Sequence, residues 1–218
     1  MQRYSTHDVA IQRAGNSVLR NTYGLLALTL AFSGLVAFVS QQMQLPHPGL
    51  IVTLVGFYGL FFATMRLRNS GWGLLTTFAL TGFMGYTLGP ILNLYLGMNN
   101  GASVISSAFT MTAVVFGGLS AFVLITRKDM SFLRTFIMVG FFVLLGAIIA
   151  SWIFEISNIQ LMISAGFVLF SSAVILYQTS EIINGGETNY IMATINLYVS
   201  IYNLFLSLLH ILGVANDD

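Results

Sequence analysis

FLRTFIMVGFFVLLGAIIASWIF, residues 132–154, decides the fold. Apart from Arg134 near its start, the run carries no charge, and it is longer than the about 20 residues a helix needs to cross the hydrocarbon core of a bilayer. A backbone in lipid must satisfy its own hydrogen bonds, so the run reads as a transmembrane helix. Six further stretches read the same way: Thr22–Gln41, Gly49–Met65, Trp72–Leu94, Ser103–Thr126, Ile159–Ser180 and Tyr190–Leu212. Turn chemistry separates them: Leu45-Pro46-His47-Pro48-Gly49, Asn69-Ser70-Gly71, Asn99-Asn100-Gly101 and Asn184-Gly185-Gly186. The loops are short, so neighbouring helices run antiparallel. The expected fold is an all-α integral membrane protein, a bundle of seven transmembrane helices.

Composition agrees. The chain has 218 residues, of which 56% are hydrophobic and 7% charged, against about 25% charged in soluble domains. Its mean hydropathy is +0.85. A net charge of +1 makes no field for nucleic acid. With no cysteine there is neither a disulfide framework nor a thiolate metal site. His7, His47 and His210 lie far apart, and no nucleophile–base set, metal cluster or carboxylate pair can be assembled within the spans. The sequence therefore points to a non-enzyme without a cofactor.

All eight Lys and Arg residues fall on one side of a seven-span chain: Arg3, Arg13 and Arg20 before the first helix, Arg66 and Arg68 after the second, and Arg127, Lys128 and Arg134 around the turn between the fourth and fifth. The Pro-rich loop, the Asn99 loop and the loop at Glu155 carry none. The positive-inside rule then puts the N-terminus in the cytoplasm and the C-terminus in the periplasm. Residues 1–21 form an N-terminal tail, polar and expected to lack fixed structure. Residues 22–212 form the membrane domain, and 213–218 a short periplasmic tail. The first apolar run is too long, and begins too late, for a cleaved signal peptide. The loop between helices six and seven lies on the cytoplasmic side and bears Glu181 and Glu187 without a cation; it is either a solvated loop or a partner surface or ion mouth.

A polar side chain facing lipid is costly, so its position is informative. Helix seven carries Asn196, Ser200, Asn203, Ser207 and His210 in steps of four, three, four and three, which is one face. Helix six carries Ser164, Ser171 and Gln178 seven apart, and helix four carries Ser103, Ser107, Thr110 and Gly117 in similar register. These stripes should face each other, either as interhelical hydrogen-bond glue or as a polar pocket or ion path. Ala27, Ala31 and Gly34 on helix one, and Gly146 and Ala150 on helix five, suggest close-packing faces. Gly89-Pro90, late in helix three, is a structural kink or a hinge.

Around that proline the sequence resembles a known family. Gly85-Tyr86-Thr87-Leu88-Gly89-Pro90-Ile91-Leu92, then Ala108-Phe109-Thr110-Met111-Thr112-Ala113-Val114-Val115-Phe116, is similar to the signature of the Bax inhibitor family, the transmembrane Bax inhibitor motif proteins. Leu176-Tyr177-Gln178-Thr179 resembles the family's Leu-Tyr-Asp-Thr, and Leu197-Tyr198-Val199-Ser200-Ile201-Tyr202-Asn203-Leu204-Phe205 its last-helix motif. The resemblance implies seven helices around a central one. Where much of the family has two aspartates as a pH-sensitive latch on a calcium leak, this sequence has Gln178 and Ser200. These can hydrogen-bond but cannot titrate, and they give calcium no anionic oxygen. Glu181, one turn on from Gln178, is the carboxylate nearby. The sequence looks closest to the bacterial inner-membrane branch that modulates the FtsH protease. That likeness implies a multi-pass inner-membrane protein that binds FtsH and slows its degradation of other membrane proteins. Residues Met1 to Arg20 would be the handle gripped by the protease, on a chain hard to extract. The alternative is a calcium or proton leak channel without the di-aspartyl latch.

Overall fold

The computed structural model describes residues 6–154 and 159–217. Seven helices account for nearly all of them: α1 Thr6–Gln42, α2 Leu50–Leu67, α3 Trp72–Leu96, α4 Gly101–Thr126, α5 Leu133–Ile153, α6 Ile159–Asn184 and α7 Tyr190–Asp217. Each contains a stretch long and apolar enough to cross a membrane. The expected spans are recovered to within a few residues at most ends. At the N-terminus an expectation is corrected. The N-terminal segment, read as lacking fixed structure, is helical from Thr6, and α1 runs through Arg13 and Arg20 into its membrane stretch without a break. Met1, Arg3 and Glu155 lie outside the described residues.

The chain divides into two units. The first holds α1, α2, α3 and the start of α7 through Tyr198. Its centre is the packing of α1 on α3. A side chain at Gly85 would run into the backbone carbonyl of Ser33, and one at Gly89 into Ser40 and the backbone of Gln41. Glycine at these two places lets the helices approach to backbone contact. Pro90 lies inside α3 without ending it. Lacking an N–H, it leaves the carbonyl of Tyr86 without its helical donor. The Ser40 hydroxyl of α1 donates to that oxygen at 2.9 Å. The Gly89-Pro90 step is thus a docking point for α1, and its one freed carbonyl is held from outside the helix. Below it, Gln41 donates to Asn93 at 3.1 Å and Asn93 returns a bond to the Gln41 carbonyl at 3.1 Å.

The second unit holds α4, α5, α6 and α7 from Val199 onward. α6 packs on both α4 and α5. Gly166 of α6 makes room for Leu144 of α5. On α4 the inward face is Gly101, Val104, Ala108, Thr112, Ser120 and Val123. The expected α4 stripe of Ser103, Ser107, Thr110 and Gly117 is exposed instead. A helical Ser or Thr can turn its hydroxyl onto the carbonyl one turn back, as Thr110 does to Ser106 at 2.9 Å, and so needs no neighbouring helix. Of the signature residues there, Thr112 is buried and Ala113 exposed. Ala27, Ala31, Gly34 and Gly146 are likewise exposed, and a methyl group at either glycine would meet nothing within 4 Å. Their size permits close packing, but within each unit nothing among the described residues lies against Gly34 or Gly146. The most lipid-like helices are α2 and α5, with 6% of their apolar windows buried, against 50% for α7.

Candidate functional site

α7 is the element on which the polar residues converge. Asn189 opens it: its side-chain oxygen accepts from the backbone N–H groups of Ile191 and Met192, both at 3.1 Å, which satisfies orphan donors of the first turn. Its amide nitrogen donates to Asn69 at 2.9 Å and to the Arg68 carbonyl at 3.2 Å, tying the start of α7 to the α2–α3 turn. One turn into the helix, the Thr194 hydroxyl donates to the Tyr190 carbonyl of its own helix at 2.7 Å and also lies 3.2 Å from the Thr22 carbonyl of α1, a weaker shared contact. A turn further, the hydroxyl of Tyr198 meets that of Ser33 at 2.5 Å and donates to the Thr81 carbonyl of α3 at 3.2 Å. Tyr198 is only 1% exposed. Asn189, Thr194 and Tyr198 thus form a seam that holds α7 to α1 and α3.

Sequence alone assigned no bonding role to any of these three, although Tyr198 lies within the last-helix motif. Thr and Tyr in an apolar helix pass for filler, and their spacing of four was the signal available. The stripe that the sequence did single out has varied surroundings. Ser200 and Ser207 of α7 are buried, while Asn196, Asn203 and His210 are half-buried. On α6, Ser171 and Gln178 are buried. Gln178, Asn196 and Ser200 all have polar or electrostatic partners. At the far end, Ser164 of α6 and Nδ1 of His210 of α7 are joined at 2.8 Å. Hydroxyls and carboxamides in such a setting exchange hydrogen bonds but no protons near neutral pH. Among the described residues, no group of three or more His, Asp or Glu is placed to hold a metal ion.

Glu181 has its own partners. Its carboxylate interacts electrostatically with the Tyr177 hydroxyl, one turn back, which Arg134 of α5 also influences. Gly186 folds back over it, with its N–H on the Glu181 carbonyl at 2.8 Å. A side chain at Gly186 would press on the carboxylate. Beside it, Ser180 fastens the α4–α5 loop: its hydroxyl accepts from the Met130 N–H at 2.9 Å and from the Asn184 amide at 3.1 Å, and donates to the Lys128 carbonyl at 3.3 Å. Ser180→Ala leaves a buried N–H without a partner, at an expected cost of about 1–3 kcal/mol. It should lower the unfolding midpoint in detergent and speed proteolytic nicking at 127–131. An unchanged nicking rate would mean the loop is held elsewhere.

A family profile described as "Inhibitor of apoptosis-promoting Bax1" matches residues 15–217. The chain belongs to the Bax inhibitor family. Among related proteins, an uncharacterized one from Pseudomonas aeruginosa is 73% identical over 218 residues, covering 100% of this chain and 98% of that one. The modulator of FtsH protease YccA of Escherichia coli K12 is 53% identical over 214 residues, with coverage of 98% and 97%. An uncharacterized Campylobacter jejuni protein is 32% identical over 205 residues, with coverage of 91% and 89%. As a Bax inhibitor family member with seven apolar helices, the chain is a multi-pass protein of the bacterial inner membrane. In this family setting the signature residues Gly85, Gly89 and Pro90 acquire a physical role: they are where α3 receives α1.

Proposed function

We propose that the protein is a regulatory, non-enzymatic partner of the FtsH protease that slows the degradation of other membrane proteins. The observation that carries this reading is the 53% identity, over nearly the whole of both chains, to a protein named for modulating FtsH. The mechanism we infer is that of a gripped but poorly extractable substrate. The N-terminus lies in the cytoplasm, where the three arginines Arg3, Arg13 and Arg20 would place it. A protease that seizes this end pulls along the axis of α1, which is one unbroken helix of 37 residues. The pull is resisted where α1 is bonded sideways: at Ser33 by Tyr198, and at Ser40 and Gln41 by α3. Breaking these bonds inside lipid leaves polar groups without water to receive them. The segment's helical form does not prevent gripping, since a helix end outside the membrane is marginal on its own.

The test uses proteoliposomes containing FtsH, ATP and a membrane-protein substrate. The half-life of that substrate is expected to lengthen when this protein is added in equal amount, and to return most of the way to its starting value when the added chain lacks residues 1–20. An unchanged half-life with the intact chain removes direct inhibition and favours the leak-channel reading, for which ion flux is measured in the same vesicles. Full inhibition by the shortened chain removes the handle.

A further inference from the structure

We propose that a water molecule is bound in the interior of the second unit, held by Ser171 of α6 and Asn203 of α7, with Ser120 of α4 as a third partner. The first ground is an anomaly of hydrogen bonding. The hydroxyls of Ser171 and Ser120 are buried, and no acceptor or donor among the described residues reaches either. Ser171 is 1% exposed and Ser120 4%. A helical serine has a ready outlet in the carbonyl one turn back, which the adjacent Ser172 takes, donating to Val168 at 2.7 Å. Ser171 does not take it, and a buried hydroxyl left idle is costly.

The second ground is register. The bond between Ser164 and His210 fixes how α6 and α7 lie side by side in this unit. The two helices follow one another through a short turn and run antiparallel. Seven residues on from Ser164 is Ser171, and seven back from His210 is Asn203. Two turns along each helix bring the pair opposite one another on the same faces. α4 packs on α6, and the contact of Ser180 with the Lys128 carbonyl sets their relative height. Nine residues back from Ser180 is Ser171, and eight back from Lys128 is Ser120, so the two idle hydroxyls lie at similar depth.

The donor set selects the ligand. Two hydroxyls and a carboxamide can both give and accept, which suits a buried water making about three bonds. They offer no anionic oxygen, so a divalent cation is a poor fit. In this reading the α6–α7 stripe, at this level, is joined through a molecule that can be exchanged without breaking a direct bond between helices.

The full chain crystallised in a lipid mesophase tests this directly. A water peak within hydrogen-bond distance of both Ser171 Oγ and the Asn203 side chain is expected. A direct Ser171–Asn203 bond, or no peak, overturns the proposal. Thermal unfolding in detergent gives an independent reading. Ser171→Ala and Asn203→Ala should each lower the midpoint, and the double replacement should be no worse than the more damaging single one, because both discharge the same water. If Ser171→Ala unfolds at the same or a higher temperature than the parent, the hydroxyl was idle and the site is dry.

Discussion

Gly85→Leu is expected to leave little folded protein. The first added carbon already meets the backbone carbonyl of Ser33, an atom that no rotamer change can move. Relief requires α1 and α3 to part, and the same separation stretches the Ser40–Tyr86 bond and the Gln41–Asn93 pair further along the interface. Overpacking usually costs about 1–3 kcal/mol, and a collision with rigid backbone belongs at or above the top of that range. Membrane helices lack the hydrophobic drive that would press them back together, so close packing and polar bonds are what the substitution removes. The measurement is the yield of monodisperse protein in mild detergent and its unfolding midpoint. Gly34→Leu is the matched control: the residue type and helix environment are similar, but its position is open. Loss at Gly85 with retention at Gly34 is the expected pattern. Equal behaviour of the two would mean that the α1–α3 contact does not hold the fold.

Tyr198→Phe is expected to give the next largest effect, and a cleaner one, because the ring that fills the core remains. What goes is a hydroxyl joined to Ser33 and to the Thr81 carbonyl. Interhelical hydrogen bonds in membrane proteins average only about 0.6 kcal/mol. Here two partners lose their bond together, and Ser33 is itself buried. Leaving buried groups unsatisfied costs about 1–3 kcal/mol, and the higher range is the one that applies. Ser33→Ala in the same background supplies the cycle: the double variant should be nearer to either single than to their sum. With FtsH present, the Tyr198→Phe chain should itself be degraded faster, because the bond that resists withdrawal of α1 has gone. Unaltered midpoint and unaltered degradation would together show that the seam is decorative.

Length and hydropathy made the spans legible, since the bilayer fixes how many apolar residues a helix needs and loops such as Asn99-Asn100-Gly101 carry unmistakable turn residues. The inner faces were harder to read. Ser103, Ser107 and Thr110 form as regular a stripe as any, yet they face outward, because their hydroxyls can be satisfied within the helix that bears them. Small residues misled for a related reason. Gly34 and Gly85 look alike in sequence, and only the partner surface separates a notch that is filled from one that is open. Tyr198 is legible as part of the last-helix motif, but an aromatic side chain in an apolar helix gives no sign of what its hydroxyl bonds. On Pro90 the sequence offered a kink or a hinge; the Ser40 hydroxyl that stabilises its freed carbonyl lies about fifty residues earlier, and no local rule links them.

Burial is spread unevenly along the chain, with α7 the most enclosed of the helices and also the last to be made. During synthesis at about 5–20 residues per second, α1 and α3 emerge long before the tyrosine that joins them. Until it arrives, the Ser33 hydroxyl lacks its partner from α7. An interrupted chain is therefore not a smaller version of the protein. It is a set of helices lacking the piece that joins α1 to α3 through Tyr198. The bond that joins α1 to the start of α7 is therefore among the later contacts to form, and a chain broken before Tyr198 lacks it altogether.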